Sequence, residues 1–247
     1  MKLPRVQGLI DRRILANYRV APDVLARLLP APFRPKLANG YGVAGICLIR
    51  LKHIRPRGLP AFVGIGSENA AHRIAVEWED DHGAPREGVY IPRRDTSSRL
   101  NVLAGGRLFA GVHHHARFDV AERDGHYHIA IRSDDGATRV RLEAHTADAL
   151  PPGSVFADVD AASSFFRAGS LGYSPSAQAG RLDALELHSL NWEVSPLIVD
   201  RFESSFFDDT CRFPPGSIEF DCALLMREIR HEWHGREPMQ CVACAGV

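Results

Sequence analysis

Three consecutive histidines, His113, His114 and His115, are the side chains of this chain best suited to chemistry, because imidazole transfers protons near neutral pH and binds metals. The surrounding residues predict a β-strand, in which successive side chains point to opposite faces. His114 then shares a face with the apolar Ala116 and Phe118, so we expect it to point inward. The alternative is a core histidine whose ring nitrogens are satisfied by a backbone carbonyl and a water.

A second polar group, Glu68, His72 and Arg73, lies before a predicted strand. A buried Glu68 close to His114 would form an acid–base pair, whereas on the surface it would pair with Arg73. Arginine binds carboxylates through two parallel hydrogen bonds. We predict His114 and Glu68 as catalytic residues. The predicted substrate-binding residues are Arg107, Arg73, His72 and His115, with a structural role at backbone carbonyls as the alternative for Arg107.

Two further groups contain residue types that bind zinc. His113 and His115 lie two residues apart on one strand face and could chelate one ion; the alternative is a solvated sheet face. The C-terminal region has two pairs with ligand spacing, His231 with His234 and Cys241 with Cys244, and the alternative there is a frayed tail with incidental cysteines. We predict no metal and no cofactor, and keep the His113 and His115 pair as the alternative.

The composition is that of an ordinary globular protein: 247 residues, of which 45% are hydrophobic and 24% charged, with a net charge of +0. This balance argues against nucleic acid or an anionic membrane as a partner. There is no signal-peptide pattern, and no apolar run approaches the roughly 18 residues of a membrane span. Five scattered cysteines fit free thiols, so we expect a cytoplasmic protein.

The clearest structural pattern is a three-stranded antiparallel meander between His113 and Thr146. The dipeptides Asp124–Gly125 and Asp135–Gly136 are strong hairpin signals. Alternation then fixes the register, because only one register matches apolar residues with apolar residues. The predicted pairs are Val120 with Ile129, Phe118 with Ile131, Ile131 with Val140, and Ile129 with Leu142.

Weaker patterns predict the other elements. They are a short helix over residues 22–29, strands over 41–51 and 74–78, a short helix capped by Ser97 or Ser98, a helix that begins at Ser195 and Pro196, and a long strand over 218–226. Spacing of Ile198, Phe202 and Phe206 at helical intervals supports the helix after Pro196.

The segment before the histidines resembles the glycine–arginine motif of acetoacetate decarboxylase. The match comprises Gly106, Arg107 and Gly111, followed by a polar pair at His114 and His115. Two other stretches, residues 13–35 and 68–78, are more similar to an uncharacterised family of the acetoacetate decarboxylase-like superfamily.

This resemblance implies a mainly β (α+β) fold: a closed antiparallel β barrel or cone with a few short helices and an internal cavity. It implies one such domain over residues 1–235 and a flexible C-terminal tail over 236–247. It also implies that position 114 lines the cavity and that Glu68 corresponds to a catalytic glutamate.

The chain departs from the decarboxylase at the residues that carry its reaction. The two adjacent lysines of that family fall on His114 and His115, and imidazole cannot form the Schiff base that the first lysine forms. Of the lysines in the sequence, we expect Lys36 in a turn and only Lys52 close enough to reach a cavity. Decarboxylation by the family mechanism is therefore not expected.

These observations predict a protein that binds a small oxo or hydroxy acid inside the barrel. His114 and Glu68 would move protons in a lyase, hydratase or isomerase reaction, and an arginine would hold the carboxylate. The alternatives are a non-catalytic small-molecule-binding protein and a metal-dependent enzyme that uses the histidine cluster. The expected partner is a small-molecule ligand, and the chain is compatible with a homo-oligomer.

Overall fold

The computed structural model describes residues 5–104 and 110–241. Within these residues the strands are β1 (Val6–Val20), β2 (Arg34–Pro35), β3 (Leu37–Ala38), β4 (Tyr41–Pro56), β5 (Ile65–Glu79), β6 (Pro85–Thr96), β7 (His114–Arg123), β8 (His126–Ser133), β9 (Arg139–Thr146), β10 (Leu171–Pro175), β11 (Arg181–Ser189), β12 (Ser195–Ser204) and β13 (Ile218–Gln240). The helices there are α1 (Pro22–Ala26), α2 (Arg99–Ala104) and α3 (Val159–Ala168), with a 3₁₀ turn at Ala61–Val63. None of the helices in this part of the chain is long and apolar enough to cross a membrane.

All of these strands join one mixed sheet, in the order β11-β10-β6-β7-β8-β9-β12-β13-β1-β4-β5-β2, with β3 on β4. The mainly β fold is confirmed, but the predicted closed antiparallel barrel is wrong. The long strand β6 pairs with β5 along one edge and, in parallel, with both β10 and β7 along the other. Likewise β13, with 23 residues, pairs with β1 along one edge and with β12 and then β11 along the other. Because β6 and β13 are each long enough to pair with two shorter strands along one edge, the sheet branches.

The central strands are buried on both faces, and each face carries its own core. Neighbouring residues of β1, Ile14 and Leu15, enter different cores because their side chains alternate. The first core contains Ile14 and the meander residues of β7, β8 and β9. The second core contains Leu15 and Cys47 and is covered by α3, from which Phe166 packs inward.

The meander forms with the predicted register. Val120 lies opposite Ile129, and Ile131 lies opposite Val140. The other two predicted pairs also form. Asp124 and Gly125 both have positive φ, 49° and 78°, as a type I′ turn requires. Turn chemistry and alternation therefore determined this part of the sheet.

Two elements differ in type or were not predicted. Ser195–Ser204 is strand β12, not a helix, because its backbone pairs with both β9 and β13. Leu197 is fully buried, whereas Ile198, expected on the buried side of the predicted helix, is 47% exposed. Helix α3 was not predicted, although Asp158 caps it by accepting a hydrogen bond from the Ala161 amide at 2.7 Å.

Helix α2 begins as predicted after Ser98, whose Oγ accepts from the Asn101 amide at 3.2 Å. The last strand is longer than expected, since β13 continues past Met226 to Gln240. Residues 236–240, expected in a flexible tail, therefore pair with β11.

Candidate functional site

A cavity of about 130 Å³ lies in the second core, between the central strands and α3. Its apolar wall includes Trp192, Trp233 and several isoleucine and leucine side chains. Its polar wall is formed mainly by Arg13, Arg73, Arg94, His113, Cys47, Asn69 and Asn101. The cavity therefore combines an apolar surface with a positively charged one.

Strand alternation places two of the three arginines. Arg13 of β1 lies on the same face as Leu15, and Arg73 of β5 lies on the same face as Ala71 and Ala75, all in the second core. Arg94 belongs to β6, which pairs with β5 and has Arg94 opposite Ala71. The small side chain of Ala71 leaves room for the guanidinium groups in the cavity.

The three cavity arginines have neutral partners. Arg73 donates to Asn17 Oδ1, Arg94 Nε donates to Ser174 Oγ at 2.9 Å, and Arg13 Nη2 lies 3.7 Å from Cys47 Sγ. No acidic group within residues 5–104 and 110–241 forms an ion pair with any of the three. Nε and Nη1 of Arg13 and Nε of Arg73 are buried without a hydrogen-bond partner. Buried cations are normally paired, so this arrangement is suited to an anion.

The carboxylate nearest to the cavity does not neutralise them. Asp95 contributes to the lining, but its oxygens accept from Arg93 at 2.8 Å and from Thr138 at 3.1 Å. Burial lowers the pKa of Arg94 to about 10 and also lowers that of Arg73, in both cases by penalising the charged form. Arg94 nevertheless stays charged at neutral pH, so the site is positive.

Two further cavity residues have unusual protonation. Burial raises the pKa of the Cys47 thiol, but the charges of Arg13 and Arg73 outweigh this effect and leave it below its ordinary value. Burial, together with the charge of Arg94, lowers the pKa of His113 to about 3. The neutral His113 ring has Nδ1 at 3.2 Å from the Gly111 carbonyl, which can only accept, so Nδ1 carries the proton and Nε2 is the acceptor nitrogen.

The predicted orientation of His114 is wrong, because His113 lines the cavity instead. Gly111 has a φ of +79°, and β7 begins only at His114, so His113 lies between this turn and the strand and is not governed by strand alternation. From His114 onward the inward face packs into the first core, away from the cavity. The His114 side chain is 37% exposed, with Nδ1 3.2 Å from Asp135 Oδ2.

Glu68 also lies outside the cavity, in a network of ion pairs. Its carboxylate accepts from Arg12 Nη2 at 2.6 Å and from Arg50 Nε at 2.5 Å. Arg12 is fully buried and also binds Glu122 at 2.5 Å. The structure therefore does not bring Glu68 and His114 together as an acid–base pair.

Of the predicted substrate-binding residues within the described ranges, Arg73 lines the cavity, whereas His72 and His115 do not. His115 Nδ1 lies 2.7 Å from Asp134 Oδ2 on the outside of the sheet. His72 is buried in the first core against Phe206, and burial lowers its pKa to about 3. Arg107 lies outside the described residues.

The lysines and the proposed zinc ligands have other neighbours. Lys52 binds Asp11 at 2.7 Å, and Lys36, which pairs with Glu87, lines a cavity of about 10 Å³ next to the main one. His231 packs against Trp233, and His234 binds Glu232 and stacks on His188. Cys244 lies outside the described residues, and the described part of the chain holds no group of three or more metal-binding side chains.

Sequence reasoning missed Arg13, Arg94 and Cys47. Arg94 belongs to β6, a strand that was not predicted from the sequence. Arginine within a stretch of strand-forming apolar residues is the signal that could have identified them, since such a residue requires an explanation. Strand β1 was not predicted, so the orientation of Arg13 was not considered.

The comparisons with known proteins agree with this architecture. The model of the DUF2071 family, described as an uncharacterized conserved protein, matches residues 10–217. No curated protein matches the sequence.

Solved structures share the fold at low identity. An acetoacetate decarboxylase from Legionella pneumophila has 11% identity and a TM-score of 0.59, covering 98% of this chain and 88% of that one. An acetoacetate decarboxylase-like enzyme from Sphingomonas wittichii RW1 has 13% identity and a TM-score of 0.62, with coverages of 97% and 94%. The enduracididine biosynthesis enzyme MppR, complexed with pyruvate, has 12% identity and a TM-score of 0.59, with coverages of 97% and 91%. Since the family model spans most of the sequence, this chain belongs to the DUF2071 family, with an acetoacetate decarboxylase-like fold.

Proposed function

We propose that this protein binds a small carboxylic acid in the cavity, with the carboxylate on Arg13, Arg73 and Arg94. The observation that carries the proposal is the set of buried guanidinium groups whose partners are neutral. A carboxylate in the cavity would lie beside these guanidinium groups and offset their charge. The pyruvate bound to MppR, a protein of the same fold, supports this class of ligand.

The rest of the ligand would lie on the apolar wall, against Trp192 and Trp233. A ligand with a carboxylate and a short apolar or oxo-bearing chain fits this division of the lining. His113 would face it as a neutral imidazole. Because a pKa of about 3 makes this ring a weak base, we propose His113 as a neutral polar group of the binding site and not as the proton acceptor of a lyase, hydratase or isomerase reaction.

The proposed binding does not use a Schiff base. No lysine is among the described residues that line the main cavity, and Lys52 is bound to Asp11. Lys36 is the nearest candidate amine, but it pairs with Glu87 and lies over the Phe165 ring at 4.4 Å. A non-covalent complex with the acid is therefore expected.

Calorimetric titration with small monocarboxylates, each compared with its amide, tests the proposal. We expect pyruvate and its homologues to bind at least about tenfold more tightly than the matched amides, because the amide lacks the charge. Arg94→Gln should remove that preference, whereas Arg117→Gln, on the exposed face of β7, should leave it unchanged. Equal binding of acids and amides by the native protein would refute the proposal.

A further inference from the structure

We propose that Cys47 is a covalent attachment site in this cavity, at which its sulfur adds to the β-carbon of an α,β-unsaturated carboxylate. This inference rests on the proposed function, since the same arginines would hold the carboxylate. It goes further by naming a nucleophile and an electrophilic class of ligand.

The position of the sulfur is the first argument. Cys47 lies on β4 opposite Leu15 of β1 and Ala71 of β5, and it lines the cavity although it is almost fully buried. Arg13 Nη2 is 3.7 Å from its Sγ. A molecule bound in the cavity therefore meets the thiol directly.

The neighbouring guanidinium groups are a second and independent argument. Arg73 is 4% exposed, lines the same cavity and has an unpartnered Nε. Arg13 and Arg73 favour the thiolate form of Cys47 by their charge, and thiolate is the reactive form of cysteine. With Arg94, three guanidinium groups face the sulfur and the ligand carboxylate, so positive charge lies where electrons move onto the ligand during the addition.

Another buried cysteine shows that this environment is specific. Cys222 belongs to the same core, but it does not line the main cavity, and Asn17 Nδ2 donates to its sulfur at 3.6 Å. Burial and the charge of Asp221 raise its pKa, which keeps it protonated. Cys211 is exposed and provides an ordinary surface thiol for comparison.

The chemical step is a balanced addition. The thiol releases its proton to water, and the thiolate sulfur forms a bond to the β-carbon as the carbon–carbon π bond breaks. The π electrons move to the α-carbon, which takes a proton from water. The product is a thioether with an intact carboxylate, and neither an oxidant nor a leaving group is needed.

Alkylation by acrylate and by acrylamide, followed for each cysteine by peptide mass spectrometry, tests the inference. The two reagents undergo the same addition and differ in charge. We expect the acrylate-to-acrylamide rate ratio at Cys47 to exceed that at Cys211 by at least about tenfold, because the arginines concentrate the anion. Pyruvate should slow the acrylate reaction at Cys47 and leave Cys211 unaffected.

Variants separate this inference from the proposed function. Cys47→Ser should abolish the cavity adduct, whereas Cys211→Ser, outside the cavity lining, should leave both carboxylate binding and the Cys47 adduct unchanged. Arg13→Met should lower the rate ratio at Cys47 to that of Cys211. If pyruvate binds but the acrylate-to-acrylamide rate ratio at Cys47 does not exceed that at Cys211, the attachment site is refuted and the proposed function stands. If neither carboxylate binding nor the preference for acrylate is found, both fail.

Discussion

Arg12 and Arg13 are adjacent in β1, but they point to opposite faces, and their replacement by methionine should change stability in opposite directions. Arg12 is fully buried and binds two carboxylates, Glu68 at 2.6 Å and Glu122 at 2.5 Å. Arg13 faces the cavity, with two buried nitrogen atoms that have no hydrogen-bond partner. Methionine has a similar unbranched shape, so packing along the aliphatic part is retained in both variants.

The expected magnitudes follow from these contacts. Arg12→Met removes the buried cation from a cluster in which Glu68 and Glu122 keep Arg50 as a partner, and breaking these two buried ion pairs costs about 3–5 kcal/mol. Arg13→Met removes two unsatisfied donors, each of which costs about 1–3 kcal/mol when buried, and also removes repulsion from Arg73. Because Arg13 is only half-buried, we take the net gain at the low end, about 1–2 kcal/mol.

Thermal unfolding measures both effects. For a domain of this size, about 1 kcal/mol changes Tm by roughly 2–4 °C, so Arg12→Met should lower Tm by about 6–20 °C and Arg13→Met should raise it by about 2–8 °C. The stabilised Arg13→Met variant should bind carboxylates at least about tenfold more weakly. A loss of stability in Arg13→Met, together with unchanged carboxylate binding, would show that Arg13 is a structural residue and not part of an anion site.

Three further outcomes are expected. Burial lowers the pKa of His72 from 6.5 to about 3, so its contribution to stability is complete above pH 6.5 and is lost as the pH falls towards 3. In this window, His72→Phe should reduce the slope of the unfolding free energy against pH by about 1.4 kcal/mol per pH unit, measured by urea unfolding. An unchanged slope would contradict the burial of a neutral ring. After borohydride reduction in the presence of pyruvate, mass spectrometry should detect no covalent adduct. An adduct on Lys36 would show that the protein does form a Schiff base with the acid. Gly125→Ala should lower Tm, because Gly125 has a φ of 78° and an added Cβ would lie 2.8 Å from Thr146 Oγ1; Gly136→Ala, with a similar φ and open space, is the control for the contact.

Local sequence patterns were sufficient to predict the meander. In β7, β8 and β9 the turn dipeptides and the apolar alternation act over a few residues, and they predicted every one of the four pairs. The glycine–arginine resemblance predicted the fold class, which is confirmed, and the replacement of the catalytic lysine by histidine, which stays a prediction. It also carried the expectation that a histidine of the triplet reaches the cavity, but it chose His114 where the structure has His113.

Tertiary structure decided the remainder, because it depends on which strands meet over long separations. The sequence around Ser195 fits a helix as well as a strand, and pairing with β9 and β13 selects the strand. His113 lies between the left-handed turn at Gly111 and the first residue of β7, so strand alternation does not determine where its side chain points. The cavity itself arises where β1, β4, β5 and β6 bring Arg13, Cys47, Arg73 and Arg94 to one face. These residues are up to 81 positions apart, so the positive charges of the three arginines come together at one site only when the strands pair.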